Sequence, residues 1–284
     1  MQSIKSLELS APAKLNLFLH VVGRRADGYH LLESVFVMVD LCDTIKLTAR
    51  PDGDIRRTGD VIGAPEKDLC IKAANLLKSH TGCSFGADID VIKRIPAGAG
   101  MGGGSSDAAT TLMGLNALWD LRLSREELIA LGAKLGADVP FFLLGTNAWV
   151  EGIGEKLTPL DLPEMQFDII WPGVSQATVE IFSHPLLTRD TKSVKMSVFN
   201  GQRTAQDWMR LGHNDLETVV RLVSPEVNSL LEQRPQYRLT GSGSAVFRVI
   251  YSDSDRVSDK LPEKWQHFSV KSLKIHPTLS ALSC

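Results

Sequence analysis

The chain is poor in aromatic residues, 6% of 284, and holds only four cysteines. Cys42, Cys70, Cys83 and Cys284 stand too far apart for CxxC spacing, which argues against a thiol-based metal or redox centre. Scattered thiols of this kind predict a reducing, cytoplasmic setting. Neither sign of charge dominates: 31 Lys and Arg face 33 Asp and Glu, for a net charge of −2. Without a basic surplus, nucleic acid is not an expected partner. No apolar run reaches the roughly 18 residues needed to cross a bilayer. Met1 to Ala13 alternates polar and apolar residues and lacks the core of a signal peptide. No membrane partner is expected, and the seven histidines show no HExxH or paired spacing for zinc.

What remains is a globular composition, 43% hydrophobic and 23% charged, which excludes disorder and fibrous repeats. The length is roughly two domains of about 150 residues. Area scaling lets a chain of this mass bury about 73% of its unfolded surface without disulfides or structural metals.

Leu15, Leu17, Leu19 and Val21 alternate with Lys14, Asn16, Phe18 and His20, a period of two that predicts a strand with its leucines toward a core and Lys14 and Asn16 sharing the other face. After a turn at Arg25-Ala26-Asp27-Gly28, strands are predicted over Leu31 to Val39 and Thr44 to Ala49. Leu69, Ala73, Leu76 and Leu77 fall on one helical stripe that ends before Gly82. Ile89 to Ile95 reads as a strand, Pro96 to Gly104 as a glycine loop, and Ser105 to Trp119 as a helix with Ala108, Leu112, Leu115 and Trp119 on one stripe. Ser124 with Glu127 forms a capping box that opens a short helix through Lys134. A turn at Gly136 to Pro140 leads into an apolar strand, Phe141 to Leu144. Beyond Gly154 the pattern loosens, with strands predicted at Phe167 to Trp171 and Ala245 to Tyr251 and helices around Asp207 and Glu226. This change of texture places a domain boundary near residue 160.

The glycine loop carries the strongest chemical signal. Pro96, Ala97, Gly98, Ala99, Gly100, Met101, Gly102, Gly103, Gly104, Ser105 and Ser106 put five glycines into seven positions just before a helix. Glycine lets backbone amides approach an anion closely, and a helix amino terminus adds unpaired N–H groups and partial positive charge. A polyphosphate suits such a loop, whereas a flexible linker would not sit between an apolar strand and a patterned helix.

Gly98-x-Gly100-x-x-Gly103 also spells the dinucleotide fingerprint, so an oxidoreductase that binds NAD must be weighed. Its context fails, because no second strand ending in an acidic residue follows about 20 positions later. A P-loop would need Gly-Lys-Ser/Thr to close the run, and the protein-kinase motifs are missing as well. Gly241-Ser-Gly-Ser244 does not satisfy Gly-x-Ser-x-Gly, which argues against a serine hydrolase.

Pro12-Ala-Lys14-Leu-Asn16-Leu, the glycine loop and Leu239-Thr-Gly-Ser-Gly-Ser-Ala-Val-Phe247 together resemble the galactokinase, homoserine kinase, mevalonate kinase and phosphomevalonate kinase (GHMP) superfamily. Ala26-Asp-Gly-Tyr-His30, Leu135-Gly-Ala-Asp138-Val-Pro140 and Glu151-Gly-Ile-Gly-Glu155 resemble a branch whose acceptor is cytidylated. The resemblance runs from about residue 8 to 250. It implies an α+β, two-domain fold: an ATP-binding domain of the ribosomal-protein-S5-domain-2-like type over 1–160, a ferredoxin-like domain over 161–284, and an active site in the cleft between them.

The resemblance further implies that ATP phosphates rest on Pro96 to Ser106. Relatives often carry glycine where this chain has Ala97 and Ala99, without consequence for Gly102 to Gly104. Asp138 would be the general base for the acceptor hydroxyl, with Lys14 beside it to stabilise charge during transfer. Asn16 would be a polar contact to substrate and, by the same resemblance, Tyr29 and Phe182 would be the two faces of a stack on the base, with His30 hydrogen-bonding the base edge. Mg2+ is expected with ATP, and the sequence does not assign its protein ligand, Ser105 or Ser106 being one option. The expected partners are the small-molecule cytidylated substrate and ATP, and the expected state is a monomer or weak homodimer. Homoserine or mevalonate as acceptor is the alternative within the superfamily, though neither carries a base to stack. A nucleotide-binding module without catalysis is the alternative outside it.

Overall fold

The computed structural model describes residues 5–60, 63–194, 203–252 and 260–282. Cys284 lies outside these, and Cys42, Cys70 and Cys83 are free thiols. The alternation near the amino terminus yields the two longest strands, β1 (Ser6–Arg24) and β2 (His30–Arg50), paired antiparallel along their length. The two strands predicted within 31–49 are therefore one. Between them, Asp40 and Leu41 form a bulge opposite Pro12 and Ala13. Asp40 turns outward there, and its carboxylate accepts from the Lys271 N–H at 2.8 Å.

After β2 come β3 (Ile55–Gly59), α1 (Leu69–Thr81), β4 (Gly86–Ile92), α2 (Gly103–Leu118), α3 (Arg125–Gly132), α4 (Val139–Leu144), β5 (Ala148–Gly152) and β6 (Lys156–Pro159). The second half contributes β7 (Gln166–Trp171), α5 (Thr178–Ser183), α6 (Ala205–Met209), α7 (Glu217–Val223), α8 (Pro225–Gln233), β8 (Arg238–Leu239), β9 (Val246–Ile250), β10 (Gln266–Leu273) and α9 (Pro277–Leu282). This is the expected α+β mixture. No helix among the described residues is long and apolar enough to cross a membrane.

Strand β2 is the hub. It pairs with β1, with β4 and β5, and through Met38 and Val39 with the end of β10, which carries β7, β9 and β8 on its other side. Parallel pairing between strands is confined, among the described residues, to β3 against β4. Strand β1 passes through all three hydrophobic clusters: Leu9 and Ala11 under α1 and α2, Leu15 and Leu17 between the two halves, Leu19 and Val21 against α7 and α8. The middle cluster joins Val35 and Val37 to Phe167, Ile169 and Phe247, so the halves share a core.

Local signals place the helices. Asp68 caps α1 by accepting from the N–H groups of Cys70 and Ile71, and Gly82 ends it in the left-handed region. Ser124 and Glu127 form the predicted capping box at α3. The stripe predicted on α2 understates its burial, since Ser106 through Leu115 are all enclosed. Strand β4 stops at Ile92 rather than Ile95, because the Arg94 and Ile95 N–H groups donate to the Asp43 carboxylate instead of to a neighbouring strand.

The strand predicted at Phe141 to Leu144 is a correction: Val139–Leu144 is helical. A short run that is apolar on every side has no periodicity to distinguish helix from strand. Pro140 in the first turn and Gly145, left-handed at the carboxyl end, are the helix signals that decide it.

Candidate active site

The glycine loop leaves β4 and feeds the amino terminus of α2, so the N–H groups of Gly103, Gly104 and Ser105 lack intrahelical acceptors. A second glycine turn, Thr240 to Ser244, faces it. The N–H groups of Ser244 and Ala245 donate to the carbonyls of Gly98 and Ala99 at 3.3 and 3.1 Å. Contact is backbone on backbone: a Cβ on Gly100, whose φ is +78°, would stand 2.3 Å from the Thr240 carbonyl oxygen. Gly98 and Gly102 also have positive φ, whereas positions 97 and 99 do not. Alanine is therefore tolerated at 97 and 99, and the Ala99 side chain joins the core between the halves.

Lys14 and Asp138 meet at the mouth of this loop, with Lys14 Nζ 3.7 Å from Asp138 Oδ2. They come from β1 and from the start of α4, more than a hundred residues apart. Asp138 occupies the N-cap of α4, yet its carboxylate makes no capping bond, and its side chain stays 32% exposed. Lys14 is almost fully enclosed. Burial lowers its pKa, and the charge of Asp138 and their side-chain contact pull the other way. Lys14 Nζ donates to Asn16 Oδ1 at 2.6 Å and lies 4.8 Å from the centre of the Phe36 ring. Asn16 is fixed in turn: its N–H donates to Thr240 Oγ1 at 3.0 Å and its Nδ2 to Ser34 Oγ at 3.1 Å. Asn16 thus links the lysine to the second glycine turn.

One cavity of about 950 Å3 is lined by Lys14, Asn16, Asp138, the glycine loop from Pro96 to Ser105, and Tyr29, His30 and Phe182. Ser106 is not among its walls: its side chain is buried and its hydroxyl has no hydrogen-bond partner among the described residues. His30 opens β2 beside the hairpin turn, and its ring lies 5.3 Å from that of Phe182 on α5. Tyr29 is 59% exposed and makes no ring contact with Phe182 among the described residues. The structure thus pairs Phe182 with the histidine and leaves the tyrosine at the rim.

Several residues in the cavity wall or behind it escaped the sequence reading. Lys93 Nζ lies 2.6 Å from Asp107 Oδ2 and also pairs with Asp43 beneath the loop. Burial pushes Asp107 up to about 7 against the pull of Lys93, and Asp43 adds to the rise. Asp107 directly follows Ser105 and Ser106, but Asp43 and Lys93 reach it from other strands, and no local spacing announces such a triad. Arg189 was missed for the same reason, since it contacts His30 from 159 positions away.

Paired glycine turns, a helix amino terminus with unpaired N–H groups and an ammonium beside a carboxylate thus line one cavity. Residues 68–146 match the family model for the GHMP kinases N terminal domain. Over 282 residues, 96% of this chain and 96% of the relative, the sequence is 49% identical to the 4-diphosphocytidyl-2-C-methyl-D-erythritol kinase of Burkholderia orbicola. It is 50% identical to the Cupriavidus necator enzyme of that name, across 96% of this chain and 94% of the other. A crystal structure of 4-(cytidine 5'-diphospho)-2C-methyl-D-erythritol kinase superposes with a TM-score of 0.75 at 31% identity, covering 94% of this chain and 99% of that one. The chain belongs to the 4-diphosphocytidyl-2-C-methyl-D-erythritol kinase family.

Proposed function

We propose that this kinase transfers the γ-phosphoryl group of ATP to the 2-hydroxyl of 4-diphosphocytidyl-2-C-methyl-D-erythritol. The products are the 2-phosphate and ADP, a step of the non-mevalonate route to isoprenoid precursors. The observation that carries the reading is the Lys14–Asp138 pair, 3.7 Å apart at the open side of the glycine loop. Asp138, free of any capping role, takes the proton of the acceptor hydroxyl as that oxygen attacks. Lys14 supplies positive charge where phosphoryl oxygens gain negative charge, at a site whose burial strengthens the interaction. Asn16 holds the ammonium in place. The loop from Pro96 to Ser106 takes the ATP phosphates, through the free N–H groups of Gly103, Gly104 and Ser105 at its end, while His30, Phe182 and Tyr29 take the cytidine group.

Among the described residues no three acidic, histidine or cysteine side chains gather to hold a metal ion. Mg2+ would arrive on the ATP phosphates, where Ser105, which lines the cavity, would be the residue to hold it and charge neutralisation what the ion would supply. Residues 1–160 form the ATP-binding domain and 161–284 the second domain, α9 returning to the first through the Thr278 hydroxyl, which donates to the Ser10 carbonyl at 3.0 Å. A cytoplasmic monomer or weak homodimer, without nucleic-acid or membrane partners, completes the proposal.

The test is ADP release with Mg·ATP and, in turn, the cytidylated methylerythritol, homoserine and mevalonate. Turnover of the cytidylated acceptor alone is expected, and Asp138→Asn is expected to lower kcat by about 10²–10⁴-fold with KM for ATP unchanged. Turnover of homoserine or mevalonate instead would overturn the acceptor, and full activity in the variant would overturn the base.

A further inference from the structure

The two ring nitrogens of His30 are used differently. Nε2 accepts from Arg189 Nε at 3.0 Å, while Nδ1 makes no hydrogen bond among the described residues in a ring that lines the cavity. A guanidinium offers donors only and keeps its proton throughout the range in which proteins fold. The nitrogen facing it must therefore present a lone pair, and a neutral imidazole then carries its one proton on Nδ1. A second proton is disfavoured by burial of the ring and by the positive charges of Arg189 and Arg24 beside it.

Arg189 is not free to turn away. Its Nη1 donates to the Leu187 carbonyl at 2.9 Å, and its Nη2 to the carbonyls of His184 and Phe182 at 2.8 and 3.3 Å. Those three acceptors belong to the segment that carries the Phe182 ring, and His30 belongs to the opposite half of the chain. One guanidinium thus ties together the two groups that face each other at 5.3 Å.

We propose that Arg189 is a positioning residue for base recognition: it fixes His30 as an Nδ1–H donor against the Phe182 wall, so that the site selects a base whose pairing-edge ring nitrogen is an acceptor. Cytosine does so at its N3. Uracil carries a hydrogen there and would set donor against donor. This inference rests on the reading that His30 and Phe182 take the cytidine group, and it adds the residue that makes the histidine discriminate.

Two measurements test it. Nitrogen NMR of the His30 ring in the unliganded wild-type protein is expected to show a proton on Nδ1 and none on Nε2. Steady-state kinetics should then compare the cytidylated acceptor with its uridylated counterpart in the wild type, Arg189→Met and Arg189→Gln. Loss of the hydrogen bond in Arg189→Met is expected to raise KM for the cytidylated acceptor about tenfold with KM for ATP unchanged, to narrow the preference for cytidine over uridine, and to mix the His30 tautomers. Arg189→Gln keeps an N–H donor and should recover part of each effect. A wild-type ring protonated on Nε2 overturns the proposal whether or not any variant folds. Retained cytidine preference in a folded Arg189→Met protein overturns it as well. A wild type that uses both acceptors equally removes the cytidine reading itself along with it.

Discussion

On the function proposed above, the phosphate loop and the base slot solve recognition in opposite ways. The loop is contiguous, Pro96 to Ser106, and works through backbone: positive φ at Gly98, Gly100 and Gly102, and a facing turn too close to admit side chains. The slot is assembled from the β1–β2 hairpin and from residues 182–189, and it works through side chains held by one guanidinium. A phosphate is recognised by its charge, which any set of amides can meet. A base edge is recognised by which atom carries a hydrogen, so the proton on a single imidazole must be controlled.

If the loop depends on its support, the largest effect should come from beneath it. Lys93→Met leaves Asp43 and Asp107 buried together without their cation, and is expected to cost about 3–5 kcal/mol in denaturant unfolding. The pH dependence sharpens this. Asp107, raised to about 7 in the folded protein, holds its proton where the unfolded chain has released it. Its contribution to stability is therefore full below about pH 4 and is lost as pH rises toward 7. In Lys93→Met the loss should extend to higher pH, because the ammonium that favours the charged carboxylate is gone.

The loop's dependence on backbone space is next. Gly100→Ala combines a left-handed conformation, worth about 1–3 kcal/mol for a residue with a side chain, with overlap onto the Thr240 carbonyl. Unfolding should report at least that loss, accompanied by weaker ATP binding. Gly104→Ala meets nothing nearer than Leu69 at 3.8 Å and should leave the unfolding free energy unchanged. Equal losses in the two variants would break the claim that close backbone approach, rather than glycine content, builds the loop.

The smallest effect belongs to the slot. Phe182→Ala removes a ring from the solvent-facing cavity and should weaken the cytidylated acceptor by about 1–3 kcal/mol, the range for stacking on an aromatic. It should show in KM for that acceptor and not in KM for ATP. A matching rise in KM for ATP would mean that the slot and the loop are not separate.

Legibility followed the same division. The strands at the amino terminus, the capped helix at Ser124, the glycine loop and the helix after it could be read because each signal is local. Phe141 to Leu144 could not, because an all-apolar run has no period and its helical state was written in Pro140 and Gly145 on either side. That difference bears on function, since helical geometry at Val139 puts Asp138 at an N-cap with its carboxylate toward Lys14. The sequence reading puts Tyr29, His30 and Phe182 around one base, and the fold brings all three to one cavity, with the His30 ring against Phe182 and Tyr29 exposed.

The sequence by itself determined the amino-terminal strands, the helices with clear stripes and caps, the loop that suits phosphate and the residues whose chemistry suits phosphoryl transfer. Periodicity, capping and glycine conformation act over a few residues and leave their pattern in the chain. Tertiary structure alone decided which charges meet: Lys14 with Asp138, Lys93 with Asp43 and Asp107, Arg189 with His30. Such pairs join strands and turns far apart in sequence. Electrostatic and hydrogen-bond energies depend on distance in space and on burial, and neither can be read from position along the chain.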